Sequence, residues 1–109
     1  MSVLSLNVQE PYHSFILSGV KTVEGRLNKG KFADIKVGDI IEIEPEKIQF
    51  KIVEKNFYSD FKSMIEAEGL KNVIPDKNNV DAAVDVYYQF YTKEQEKEFG
   101  VLAIKIFRI

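Results

Sequence analysis

The stretch Gly19-Val20-Lys21-Thr22-Val23-Glu24-Gly25-Arg26 decides how the rest of this chain is read. A lysine, a glutamate and an arginine stand close together, with one glycine before them and another among them. Charges on a strand can be no more than its solvated face, so one reading is a polar edge strand. The other reading is a pocket. Glycines allow backbone freedom and close approach, and Val20, Val23 and Leu27 can bury the segment. Two cations flanking one carboxylate can hold an anion or a polar ring while balancing their own charge. In a regular strand Lys21, Val23, Gly25 and Leu27 share one face, and Thr22, Glu24 and Arg26 share the other. A lysine on an apolar face predicts a cleft or a barrel mouth. A bulge at Gly25 would shift that register.

Upstream, Ser2 to Val8 alternates, with Leu4, Leu6 and Val8 on one face, and predicts a half-buried strand. Pro11 suits the first turn of a helix. Tyr12, Phe15 and Ile16 form its stripe, and Gly19 can end it in a left-handed cap. His13 lies off that stripe and is expected to be exposed. Downstream, Asn28 to Phe32 reads as a polar loop with basic residues, the expected mobile rim of a site. Gly38-Asp39 turns into a strand at Ile40 to Glu44, which pairs as a hairpin with Lys47 to Lys55.

A helix follows, capped by Ser59 or Asp60 and ended by Gly69. Phe61, Met64 and Ile65 are its buried stripe, and Glu68 falls on the same face. A carboxylate there needs a partner. It can reach water or a structural lysine, or it can face the cleft that holds Lys21. Pro75 to Asn79 is a loop whose Asn79 caps a helix with the stripe Val80, Ala83, Val84, Tyr87 and Tyr91. Thr92 and Gln95 form a capping box for a last helix, Lys93 to Phe99, ended by Gly100. Its charge run Lys93 to Glu98 reads as a solvated face. Val101 to Ile109 is apolar at nearly every position and predicts a central strand covered on both sides. Tyr87, Tyr88, Phe90 and Tyr91 are core aromatics or a stacking platform for bases. Tyr88, off the stripe, is the surface candidate.

The chain has 109 residues, 45% of them hydrophobic, with eight Phe and five Tyr. That is one domain, residues 1–109, with enough apolar material for a core. The pattern of short helices and about five to six strands is an α+β class, a small barrel with short peripheral helices. No run is long and apolar enough for a membrane span, and no secretory leader is visible. There is no cysteine and one histidine. Disulfides, a cysteine nucleophile and Cys-based or His-rich metal sites are excluded, and no metal or cofactor is expected. The lack of cysteine fits a cytoplasmic location. The net charge of −2 argues against a protein that wraps a long nucleic-acid backbone. Lys21, Arg26, Lys29, Lys31 and Lys36 nevertheless gather against Glu24 and Asp34, so a small anionic partner is expected on that side. No membrane or obligate protein partner is expected.

Gly19-x-Lys21-x-x-Glu24-x-Arg26 resembles the G-x-K-x-x-E-x-R signature of the ASCH family, small relatives of the PUA RNA-binding domains. Gln9-Glu10-Pro11-Tyr12, Val37-Gly38-Asp39-Ile40-Ile41, Tyr58-Ser59-Asp60-Phe61 and the closing Phe90-Tyr91 to Gly100-Val101-Leu102-Ala103-Ile104 resemble that family too, in order. The resemblance implies a PUA-like β-barrel with a cleft beside the signature strand. It implies a module that binds RNA or a modified nucleoside or nucleotide, with Lys21, Thr22, Glu24, Arg26 and Tyr88 as candidate ligand-binding residues. Lys21 and Arg26 would hold a phosphate or base carbonyl, and Glu24 would orient Arg26 or accept from an exocyclic amine. Some small ASCH proteins resemble amidohydrolases that deacetylate N4-acetylcytidine with a lysine, a threonine and a glutamate. Lys21 matches the lysine and Glu68 the glutamate, while Glu24 occupies the threonine's position. In that case Lys21, Glu24 and Glu68 are the catalytic candidates, and Lys21 is expected to stay charged between its two carboxylates. A ribonuclease is a third possibility.

Overall fold

The computed structural model describes residues 2–109. The chain runs β1 (Val3–Leu6), α1 (Tyr12–Ser18), β2 (Val23–Leu27), α2 (Gly30–Asp34), β3 (Ile40–Ile43), β4 (Ile48–Tyr58), α3 (Phe61–Glu68), α4 (Leu70–Val73), α5 (Val80–Tyr88), α6 (Lys93–Phe99) and β5 (Val101–Arg108). The five strands form one sheet in the order β1-β3-β4-β5-β2. Only β1 and β3 pair in parallel; β3–β4, β4–β5 and β5–β2 are antiparallel. The sheet curls into a half-barrel with short helices around it, an α+β fold of the PUA-like kind.

Local chemistry accounts for most of these elements. Asp60 accepts from the Ser63 amide at 2.7 Å and starts α3, and Asn79 accepts from the Ala82 amide at 2.8 Å and starts α5. Thr92 and Gln95 close a reciprocal capping box on α6. These contacts satisfy amides that a helix N-terminus leaves free. Gly19 ends α1 at φ 86°, a conformation that a side chain would resist. The register slips between Ile52 and Glu54 on the long strand β4, leaving Val53 as a bulge. Such a bulge bends a strand and sharpens its twist.

The curl separates two cores. Inside it, Leu102, Ile104 and Ile106 of β5 pack with Leu6, Ile16, Ile41, Ile43, Phe50 and Ile52. On the outer side, Val101 and Ala103 pack with Val23, Leu27, Phe61, Met64 and Tyr87 beneath α3 and α5. A strand covered on both faces must be apolar at successive positions, as Val101 to Ile104 are. Beyond Ile104 the outer face is open, and Lys105 and Phe107 are exposed, so the expectation of a strand covered on both sides holds for its first half.

Some expectations are corrected. Asn28 to Phe32 is not one loop, because Gly30–Asp34 forms the short helix α2. Leu70–Val73 adds a helical turn, α4, that no pattern announced. The first strand is only Val3–Leu6, and β4 runs on to Tyr58. His13 is buried, with its Nε2 2.8 Å from Glu46 Oε1 and its Nδ1 3.5 Å from Glu10 Oε2. The α6 charge run is not wholly solvated. Glu96 is buried and accepts from the Phe61 backbone amide at 2.8 Å and the Tyr88 hydroxyl at 2.6 Å. One carboxylate of that run thus reaches back to the first turn of α3.

Candidate functional site

β2 and β1 are the two edges of the sheet, and a cleft of about 200 Å³ opens where they face each other. Its floor is the charged part of the signature stretch. Asn7 and Gln9, just after β1, form one side with Tyr12 of α1; Tyr87, Phe90 and Tyr91 form the other.

The strand begins at Val23, so the alternation does not reach back to Lys21. The expectation that Lys21 shares a face with Val23 and Gly25, away from Glu24, is therefore corrected. Lys21 lies in the connection after α1, tied by its amide to the Phe15 carbonyl at 3.0 Å. Its Nζ turns in to lie 3.5 Å from Glu24 Oε1. It also donates to the carbonyls of Val23, at 2.6 Å, and of Val73. From Val23 onward the alternation holds. Gly25 and Leu27 face the outer core, and Glu24 and Arg26 share the concave face, opposite Ile104 and Leu102 of β5.

Glu24 is only 5% exposed. Its Oε2 accepts from Arg26 Nη2 at 2.8 Å and Nε at 3.2 Å. Arg26 Nη2 also reaches the Asn7 carbonyl at 3.3 Å, which spans the seam between the sheet edges. The guanidinium lies 5.0 Å from the Phe32 ring centre. Nη1 makes no hydrogen bond among the described residues.

The charges respond to burial and to each other. Burial alone would raise the Glu24 pKa, but Arg26 and then Lys21 outweigh it and hold the carboxylate below its usual range. For Lys21 burial wins: its pKa falls below the ordinary lysine value despite Glu24. The expectation set two carboxylates beside Lys21; Glu24 is beside it and Glu68 is not, because Glu68 is engaged with β4. Burial pushes Tyr12 up to about 12, with Asp76 adding to the shift. Burial likewise raises Tyr87 well above its usual value, so it stays neutral.

The structure brings Lys21, Glu24 and Arg26 together and leaves the other candidates elsewhere. Glu68 does not line the cleft; it accepts from Asn56 Nδ2 at 3.1 Å and from the Tyr58 hydroxyl, both on β4. Thr22 contributes its backbone, the amide to the Asn72 carbonyl at 3.1 Å and the carbonyl to the Ile106 amide at 3.0 Å, and is also absent from the lining. Tyr88 is held by Glu96 and stands edge-on to Phe61, at 6.2 Å between ring centres. Of the aromatic group Tyr87, Tyr88, Phe90 and Tyr91, the expected surface member Tyr88 does not line the cleft, whereas the other three do. Tyr12, expected only in the buried stripe of α1, lines it as well. Among the described residues no cluster of acidic, histidine or cysteine side chains could hold a metal ion.

The sequence profile of the ASCH domain matches residues 6–109. The chain belongs to the ASCH domain family. It is similar to the crystal structure of hypothetical protein PH0355, with 43% identity, a TM-score of 0.93, and 98% of this chain and 99% of that one covered. It is also similar to the solution NMR structure of protein PF0455 from Pyrococcus furiosus, with 36% identity, a TM-score of 0.84 and coverages of 98% and 97%. ZmASCH from Zymomonas mobilis, crystallised as a mutant, is 13% identical, with a TM-score of 0.57 over 97% of this chain and 68% of that one. That likeness is one of fold. No curated protein matches the chain. The ASCH match spans the cleft-lining aromatic and charged positions Tyr12, Lys21, Glu24, Arg26, Tyr87, Phe90 and Tyr91. No helix of this ASCH chain, among the described residues, is long and apolar enough to cross a membrane.

Proposed function

We propose that the cleft binds one nucleobase, presented by RNA or by a modified nucleoside. The observation that carries this reading is the state of Arg26. Glu24 holds the guanidinium by two of its nitrogens and leaves the third for a ligand, at the mouth of an aromatic-walled cavity. A guanidinium fixed in this way is prepared to donate to a base carbonyl or a phosphate. Tyr12, Phe90 and Tyr91 offer ring faces and edges for an aromatic ligand. At about 200 Å³ the cavity is smaller than the roughly 300–1,000 Å³ of drug-sized sites, which suits a single planar ring. The local charge, two cations against one carboxylate, favours an electron-rich edge.

A second reading, hydrolysis of an N4-acetylcytidine-like nucleoside, has one observation in its favour: burial lowers the pKa of Lys21. Two observations oppose it. Glu24 stands where the family pattern has a threonine, and its lowered pKa makes it a weak general base for water. Glu68 is engaged with β4 and is absent from the cleft.

Calorimetric titration with cytidine, N4-acetylcytidine and short single-stranded RNA, alongside an assay for released cytidine, tests both readings. Binding is expected without cytidine release. Arg26→Ala should weaken it at least about tenfold, the loss of one charge-assisted contact. Lys47→Ala, in the β3–β4 turn, should leave it unchanged. Absence of binding to every probe would refute the binding reading. Cytidine release that disappears in Lys21→Ala would put the hydrolase in its place.

A further inference from the structure

A second cavity, of about 340 Å³, adjoins the first. Phe90 and Tyr91 line both, so the α5–α6 connection is the wall between them. The far side is built from residues the nucleobase reading does not use: Lys29, Lys31 and Phe32 at the start of α2, and Gln95 of α6. Lys29 and Lys31 are exposed, and neither joins an ion pair among the described residues. Both ammonium groups instead rest over rings, Lys29 at 4.9 Å from the Phe99 centre and Lys31 at 5.5 Å from the Phe32 centre. Phe32 carries Arg26 on its ring as well, at 5.0 Å, so one aromatic side chain links the basic groups of the two cavities. Gln95 spends its side-chain oxygen on the Thr92 amide, which leaves its NH₂ group as a donor.

Two adjoining cavities with one aromatic partition and unpaired lysines beside it match a repeating ligand: ring, phosphodiester, ring. A free nucleoside would fill the first cavity and leave the lysines unused. We propose that the second cavity is a subsite for the neighbouring nucleotide, so that the protein takes a dinucleotide step of single-stranded RNA. Lys29 and Lys31 meet the bridging phosphate, and Phe90 offers a ring face to the second base. This rests on the nucleobase reading of the first cavity and extends it. It also turns the basic run from Lys21 to Lys36 from general attraction into a specific contact.

The test is calorimetry at low salt with cytidine, cytidine 3′- and 5′-monophosphate, and the dinucleotides CpA and ApC, on the wild type, Lys29→Ala/Lys31→Ala and Arg26→Ala. The Lys29 and Lys31 side chains are exposed, and equal melting temperatures will confirm that the double variant folds. One dinucleotide is expected to bind at least about tenfold more tightly than cytidine, from the phosphate contact and the added stack, and more tightly than either monophosphate, from the stack alone. The double variant should lose the phosphate part of that gain, binding the monophosphates and the dinucleotide more weakly, and keep the cytidine affinity of the wild type. Its salt slope with the dinucleotide should fall by about one. Dinucleotides no tighter than the monophosphates, or a gain over cytidine that is undiminished in the double variant, would overturn the subsite while leaving the first cavity's role intact. Cytidine binding indifferent to Arg26→Ala, or no binding of any probe, would overturn the nucleobase reading and the subsite with it.

Discussion

Gly25 is the position where the floor of the cleft and the outer core press hardest on each other. A Cβ added there would meet Tyr87 Oη at 2.6 Å, Met64 Cε at 2.7 Å and Tyr87 Cζ at 3.0 Å. Comfortable contacts lie near 3.5–4.0 Å, so Gly25→Ala forces something to move. Its φ is not positive, so the backbone accepts alanine and the strain is wholly one of packing. Met64 is fully buried, and the Tyr87 ring is stacked on Phe61 at 4.4 Å between centres and 8° between planes. Neither can retreat freely. Overpacking of this kind costs about 1–3 kcal/mol, and two close partners place Gly25→Ala toward the upper end of that range.

The Tyr87 hydroxyl supplies an internal control. It is buried and has no hydrogen-bond partner among the described residues. Leaving such a group unmade costs about 1–3 kcal/mol, so Tyr87→Phe should be neutral or stabilising. The same change removes the closest of the three contacts at Gly25. In the double variant, Gly25→Ala should therefore cost about 1–2 kcal/mol less than in the wild type, a coupling well above the error of additivity. Urea melts of the four proteins, with m checked for constancy, measure it. Additive losses would refute the contact argument. A Tyr87→Phe variant destabilised by more than about 1 kcal/mol would show that the hydroxyl has a partner after all.

Arg26→Ala should cost about 1–3 kcal/mol, because it leaves the nearly buried Glu24 with Lys21 alone; Glu24→Gln in the same chain should recover part of it, and denaturant melts that show no recovery would uncouple the pair. Glu24 also makes stability acid-sensitive: its folded pKa is depressed, so its contribution is present above the unfolded value of about 4.3 and fades as pH falls through the folded value. His13 acts in the opposite sense. Burial lowers its pKa, but Glu46 and then Glu10 outweigh that and leave it raised. Its stabilisation is therefore full below the unfolded value of about 6.5 and lost as pH rises through the folded value. It is the single histidine, so His13→Gln should flatten the pH dependence of stability above about pH 6.5; an unchanged slope would reject the clamp between α1 and the β3–β4 turn.

Short-range chemistry was legible in this sequence, and long-range pairing was not. Asp60, Asn79 and the Thr92–Gln95 box each act within one helical turn, so their spacing betrays them. The same holds for Gly19 and for the hairpin of β3 and β4. The near-continuous apolar stretch Val101 to Ile109 announced a strand covered on both sides, and Val101 to Ile104 is buried on both, while Lys105 and Phe107 are exposed. His13, Glu68 and Glu96 were misjudged for a common reason. Their partners Glu46, Tyr58 and Phe61 lie on other elements, 33, 10 and 35 residues away along the chain, and are brought near only by the curl of the sheet and the docking of α3. Helical phase correctly placed Glu68 off the solvated face, but phase gives a direction and not a neighbour. The site was legible where residues share one strand, as Glu24 and Arg26 do, and failed one residue before the strand began. At Lys21 the rule of alternation had no strand to act on.

Lys21 bears most directly on what the cleft can do. A lysine ammonium has three N–H groups, and three acceptors surround this one: the carbonyls of Val23 and Val73 and the carboxylate of Glu24. As an ammonium it is saturated and has no donor left for a ligand. As a neutral amine it would strand one of those acceptors, each buried, at about 1–3 kcal/mol. Burial pulls its pKa down, yet the acceptors around it are arranged for the charged form, and proton loss would also strip Glu24 of one of its two cations. The geometry therefore favours a structural role. Lys21 ties the start of β2 to the end of α4 and braces Glu24 from the side opposite Arg26. Glu24, held by both cations, fixes the guanidinium. On this reasoning Lys21→Met should soften the site through Glu24 and weaken nucleoside binding less than Arg26→Ala does. Equal losses in the same titration would mean that Lys21 touches the ligand itself.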